Sequence, residues 1–181
     1  MNPTALFWFR RDLRLKDVHG LFEALKQHES VLLIFIFDSE ILDHLPVDDA
    51  RVDFIFNQLK TLNKTLEKYT TAINTYYGNP KEVLETLTKK YPVEAVYTNH
   101  DYEPYAIKRD AEIDALLKTQ NIAFNTYKDQ VIFEKNEITK DDGLPYKVYT
   151  PYSKKWLSCF EQKHMEPYPS EKHLNHCTKI N

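Results

Sequence analysis

The chain has 181 residues, of which 42% are apolar, with 12 Tyr, 10 Phe and 2 Trp. That is enough for one buried core and excludes intrinsic disorder; no apolar run approaches the roughly 20 residues needed to cross a bilayer, so no membrane partner is expected. A formal charge of -3 argues against a domain that grips duplex DNA by itself. The two cysteines, Cys159 and Cys177, are too few to staple a core and fit a reducing, cytoplasmic setting. The opening MNPTALFWFRR carries its charges after its apolar stretch, unlike a secretory signal.

Ala5 to Phe9 is a short continuous apolar run and predicts a first strand. Leu21, Phe22 and Leu25 then mark a helix, and Val31 to Phe37 (VLLIFIF) a second strand. Val52, Ile55, Phe56, Leu59, Leu62 and Leu66 trace one face of a long helix at the 3.6-residue period. Ala72 to Tyr77 predicts a third strand, followed by Asn79-Pro80 as cap and first-turn proline of a helix through Val83, Leu84 and Leu87. Ala95 to Thr98 is the fourth strand; Ile113, Leu116 and Leu117 mark a helix opening near Pro104; Ile122 to Tyr127 is the fifth strand. Val131 to Glu134 predicts one more short strand, ITKDDGLPY a turn or hairpin, and Tyr149 to Phe160 an aromatic helix. Beyond His164 no period remains, so 161–181 reads as a linker or tail after a domain spanning 1–160. Alternating strands and helices, with strands apolar on both faces, argue for an α/β fold: a doubly wound, mostly parallel five-stranded sheet, Rossmann-like, in the order 3-2-1-4-5.

In such a sheet a ligand sits beyond the carboxyl ends of the strands, where the order reverses, between the first and fourth. The segments leaving those strands, WFRRDLRL (Trp8 to Leu15) and TNHDYEPY (Thr98 to Tyr105), are dense in charge and aromatic rings. The chain has only three glycines, Gly20, Gly78 and Gly143. Neither GxGxxG nor GxxxxGK[ST] occurs, so the backbone cradle for a pyrophosphate is missing and a nucleotide binder is disfavoured.

WFRRDLRLKD, FIFD (Phe35 to Asp38), DDARVDFI, TNHDYEPYAIKRD and YKVYTPYSKKW follow one another in this order. Together they resemble the N-terminal α/β domain of the DNA photolyase/cryptochrome family, over about Thr4 to Phe160. The resemblance implies a light-harvesting domain that holds an antenna chromophore, joined in complete members to a helical domain binding FAD and damaged DNA. Those members use excited reduced flavin to split pyrimidine dimers, a carbon–carbon lyase reaction. The 181 residues hold no counterpart of the helical domain, so the resemblance implies a truncated chain that is inactive alone and meets DNA only through that domain. Alternatives are a non-catalytic scaffold or interaction domain with an empty pocket, and a cryptochrome-type light-sensor fragment.

The candidate antenna residues are Arg10, Phe37, Asp38, Ile41, Arg51, Asp101 and Glu103. Asp101 and Glu103 precede Pro104 at a helix N-terminus, where a carboxylate is favoured by about 0.3–1 kcal/mol; each either accepts from a ring N–H or caps the helix. The resemblance places Arg51 at a position lining the pocket in deazaflavin-type relatives; a plain first-turn arginine is the alternative. Phe37, Asp38 and Ile41 offer an apolar wall or core packing. Arg10, with Arg11, Asp12 and Arg14, either stiffens the first loop through mutual salt bridges or reaches the ligand. Folate-type relatives carry an Asn-Glu pair where Tyr105 and Ala106 stand here, which favours a deazaflavin or flavin antenna over folate. Trp8 is expected to pack in the sheet. Tyr149, Tyr152, Trp156, Leu157 and Phe160 form a stripe that is either core or an apolar patch open to a partner domain or to self-association. His173, His176 and Cys177 resemble a fragment of a metal site but lack a matching second pair, so no metal is assigned.

Overall fold

The computed structural model describes residues 3–180. Five parallel strands, β1 (Ala5–Phe9), β2 (Val31–Asp38), β3 (Asn74–Gly78), β4 (Ala95–Asn99) and β5 (Ala123–Tyr127), form one sheet in the order β3-β2-β1-β4-β5. Ala5 of β1 stands opposite Val31 on one side and Ala95 on the other. Helices α1 (His19–Gln27) and α3 (Ala50–Leu66) cover one face; α4 (Pro80–Lys90) and α5 (Pro104–Thr119) cover the other. A four-residue helix α2 (Ser39–Leu42) follows β2, and α6 (Tyr149–Cys159) lies late in the chain.

Every residue of β1 is buried, because alternate side chains feed two separate cores. Phe7 and Phe9 join Leu21, Leu25, Leu59, Leu62 and Leu66 on one face. Leu6 and Trp8 join Ile34, Ile36, Leu84, Ile113 and Leu117 on the other. The outer strands β3 and β5 are only half covered, so burial on both faces holds for β1 and β4 and nearly throughout β2. Asp49 caps α3 by accepting from the Arg51 N–H at 2.9 Å, and Asn79 caps α4 ahead of Pro80 in the first turn.

Two expectations fail. Val131 to Glu134 forms no strand: this stretch is loop, and Glu134 is drawn inward by His100 and Tyr102. The segment 161–180, read as aperiodic tail, is instead an ordered strap. It makes two 3-10 turns, Gln162–Met165 and Ser170–His176, and buries Ser170, Leu174 and Cys177 against α1 and β2. Its attachments are mostly side chain to backbone: the Ser170 hydroxyl donates to Leu15 O and accepts from Val18 N, and His176 Nδ1 lies 2.7 Å from Leu25 O. Cys177 forms a single parallel bridge with Val31. Such contacts leave no hydrophobic period to read.

His19 stacks on Tyr168 of the strap at 3.7 Å between centroids, and burial lowers its pKa below the ordinary 6.5. The unfolded chain therefore takes up this proton first as pH falls, so the stability His19 confers is present above about 6.5 and declines below it. Urea unfolding is expected to show a falling midpoint from pH 7.5 toward the lowered pKa, with a shallower slope in His19→Phe, which keeps the stack. Leu174→Ala should cost about 2–5 kcal/mol at neutral pH, the usual cost of emptying a leucine site.

Candidate functional site

At the carboxyl end of the sheet, the junction between β1 and β4 is not open. Asn99, at the end of β4, donates from Nδ2 to Asp12 Oδ2 at 2.6 Å and accepts from the Gly20 N–H at 2.9 Å. Asp12 also accepts from the Arg10 N–H at 2.8 Å, and burial raises its carboxyl above the ordinary value. Gly20 N–H is one of the donors that a helix leaves unpaired in its first turn, and here β4 supplies the acceptor. A Cβ on Gly20 would lie 2.7 Å from Asn99 Oδ1 and 3.2 Å from Thr98 O. The expected crevice is thus sealed by the protein's own polar groups. Gly20→Ala is expected to lower stability by about 1–3 kcal/mol as an overpacked site, measured by denaturant unfolding, because helix, strand end and loop would all have to shift.

The open space lies beside that seal, over the ends of β1 and β2 and between the first turns of α3 and α5. It is a cavity of about 320 Å³, at the lower end of the range that small-molecule sites occupy. Phe9, Phe37, Ile41, Leu42, Leu45, Val52 and Ile55 give it apolar walls. All seven residues singled out from the sequence, Arg10, Phe37, Asp38, Ile41, Arg51, Asp101 and Glu103, line it. The loops after β1 and β4 both border it, as anticipated.

The polar groups fall into two sets. One is a buried ionic knot. Arg10 forms a two-pronged ion pair with Asp110 at 2.8 and 2.7 Å and donates to Asn99 O. Arg109 Nη1 stands 3.6 Å from Asp38 Oδ2, and the Tyr105 hydroxyl donates to that same oxygen at 2.7 Å. Burial and the Asp38 hydrogen bond push the Tyr105 phenol well above its ordinary pKa. Asp38 Oδ1 accepts from Glu40 N, capping α2, so this carboxylate is satisfied within the chain.

The second set rims the mouth. Arg11 pairs with Asp101 and Glu103 across the opening, and the Glu103 hydrogen bond raises the arginine pKa. Glu103 occupies the cap position of α5 without capping it; Asp101 Oδ1 instead accepts from Glu103 N at 3.3 Å. Arg51 is exposed and clasps Asp49, whose carboxyl is held down at about 2. The salt bridges of the first loop run outward rather than among themselves: Arg10 to Asp110, Arg11 to Asp101 and Glu103, Arg14 to Asp129.

Tyr105 and Arg109 were not singled out as ligands. Their signal was present: Tyr105, Arg109, Ile113 and Leu117 recur every four residues on α5, so an arginine occupies a stripe that continues into the core. Trp8 is packed in the sheet as expected, and it also lines the cavity. His176 and Cys177 are spent on the strap, and burial pushes the Cys177 thiol up to about 12.

Comparisons with known proteins agree with this architecture. The DNA photolyase family model matches residues 5–172, and the chain belongs to that family. The deoxyribodipyrimidine photo-lyase of Synechococcus sp. is 35% identical over 156 residues, covering 86% of this chain and 32% of that protein. The crystal structure of an archaeal photolyase from Sulfolobus tokodaii aligns with a TM-score of 0.67 at 31% identity, over 75% of this chain and 32% of that one. That structure holds two FAD molecules, described as implying a novel light-harvesting cofactor. A class III photolyase from Agrobacterium tumefaciens shares the fold across the whole chain (TM-score 0.82, 22% identity, 36% of its own chain). The chain thus spans about a third of the length of these relatives and corresponds to their N-terminal α/β domain.

Proposed function

We propose that this domain binds a flat light-absorbing ring system of the flavin or deazaflavin class and serves as the antenna of a photolyase-type flavoprotein. The observation that carries this reading is the apolar cavity over β1 and β2, whose buried charges are paired with one another. Two buried donors on residues of its wall, Arg10 Nε and Arg109 Nη2, have no hydrogen-bond partner among the described residues, although Arg109 Nη2 lies 3.2 Å from Asp110 Oδ1. Phe37, Ile41, Leu45 and Val52 would clasp the faces of a ring system, and Arg109, Asp101 and Arg11 offer donors and an acceptor to its edge. Such a guest would supply absorption of near-UV or blue light. The residues of the chain hold distance and orientation and exclude water; none is asked to make or break a bond. The Tyr105 hydroxyl is already committed to Asp38 and Ala106 is apolar, which supports a flavin-type guest over folate.

In the complete protein, excitation would pass to FAD in a helical domain that also meets damaged DNA. The outward face of α6 and the loop before it supports a docking role: α6 buries none of its residues, and Leu144, Val148, Tyr149 and Leu157 stand exposed. Inside that face, Trp156 stacks on Phe160 at 5.2 Å and meets Phe133 edge-on, so of the two readings of this stripe, core or open patch, the core part reduces to a small satellite cluster. Without the partner domain this face is free to associate with a second copy. Sedimentation should then show concentration-dependent association that Leu157→Glu suppresses.

The antenna reading is tested by titrating riboflavin, 5-deazariboflavin and folate and following visible and near-UV absorbance. Saturable one-to-one binding of a flavin or deazaflavin with a shifted band is expected. Ile41→Trp, which fills the mouth, should weaken that binding by about tenfold or more, roughly 1.4 kcal/mol. Absence of binding by all three in well-folded protein would favour a scaffold with an empty pocket.

A further inference from the structure

Trp8 forms part of the cavity wall and is 2% exposed. Two guanidiniums lie on its indole: Arg10 Cζ is 4.1 Å from the ring centroid and Arg109 Cζ 4.9 Å. Their side chains are only 7% and 9% exposed, so water screens their charges weakly. Holding Trp8 does not require them, because Leu6, Ile34, Ile36 and Ile113 already share its core. The arrangement even leaves two buried donors unpaired, Arg10 Nε and Arg109 Nη2, a cost that stability alone does not explain.

Indole is among the side chains most easily oxidised, and an excited aromatic guest beside it draws an electron and loses its excitation. The electron would leave Trp8 as a radical cation 4.1 and 4.9 Å from two positive charges, an unfavourable place for a third even though Asp110 and Asp38, paired with those guanidiniums, offset part of the repulsion. Tyr105 is the other oxidisable ring of the wall. Its loss of an electron would send the phenolic proton to Asp38 Oδ2, 2.7 Å away. Arg109, 3.6 Å from that oxygen, favours the ionised carboxylate and so opposes the transfer. We infer that Arg10 and Arg109 guard the cavity against electron transfer: they keep Trp8 and Tyr105 from quenching an excited guest, so that its excitation survives long enough to be passed on. This rests on the antenna reading, and the two fail in different ways.

The probe is bound riboflavin, and the readout is its fluorescence lifetime. In the wild type Trp8 is silent, so Trp8→Phe should not lengthen the lifetime. Arg109→Gln should shorten it several-fold, Arg109→Lys should keep it long, and adding Trp8→Phe and Tyr105→Phe to Arg109→Gln should restore it. If Arg109→Gln does not fold, Arg109→Gln with Asp38→Asn removes both members of the pair and leaves no unpaired buried ion; Tyr105 then lacks its proton acceptor, so the lifetime is expected to shorten through Trp8 alone and to be restored by adding Trp8→Phe. A lifetime that lengthens in Trp8→Phe alone overturns the inference. So does one unaffected by loss of Arg109, or shortened equally when Trp8 and Tyr105 are replaced. Failure of the wild type to bind either riboflavin or 5-deazariboflavin overturns the antenna reading itself.

Discussion

A guanidinium buried at the end of β1 organises the working end of this domain. Removing such a charge from water costs several kcal/mol unless nearby groups compensate it fully, and Arg10 draws its partners from three directions. Asp110 comes from the second turn of α5, the Asn99 carbonyl from the end of β4, and the Trp8 ring from its own strand. Satisfying all three fixes the exit of β1, the entry of α5 and the spacing between them. The Asp12–Asn99–Gly20 seal then closes the β1–β4 junction, and what stays open is the space over β1 and β2 that α3 flanks from the other face.

The polar residues of that cavity divide by how completely they are satisfied. Asp38 and Asp110 meet their needs within the chain, so they shape the wall. Arg11, Glu103 and Arg51 sit at the mouth and remain in contact with water, where ion pairs contribute little and rearrange readily. Recognition of a guest then depends on shape and on few edge contacts, the usual division of labour in small-molecule pockets. The absence of a glycine-rich turn after β1 fits the same picture: Arg10 and Arg11 occupy the place where a backbone cradle would approach a phosphate.

The sheet order and the two faces were legible because β1, β2 and β4 carry continuous apolar runs that only a covered parallel sheet accommodates. The candidate residues converge because they lie at or beyond the carboxyl ends of β1, β2 and β4, which share one edge, with Arg51 brought there by the first turn of α3. Three things were hidden. The strap buries only isolated residues, Ser170, Leu174 and Cys177, and is tied down largely by side-chain-to-backbone bonds such as those of Ser170 and His176, so it carries no period. The four-residue helix α2 is too short to show one. The partners of Arg10, Arg14 and Asp12 lie 87 to 115 residues away in the chain, so spacing suggested local bridges where the fold makes distant ones. Val131 to Glu134 misled because a short apolar run beside an edge strand reads the same whether it pairs or loops.

The locked ion pairs beneath the cavity bear on the colour of whatever occupies it. When a chromophore absorbs, its charge redistributes at once, and a surrounding of mobile dipoles turns to follow, broadening and red-shifting the emission. Carboxylates and guanidiniums held by two or more bonds each cannot turn. A guest on such a floor would keep narrow bands and a small gap between absorption and emission, with its wavelength set by a frozen electric field rather than by solvent.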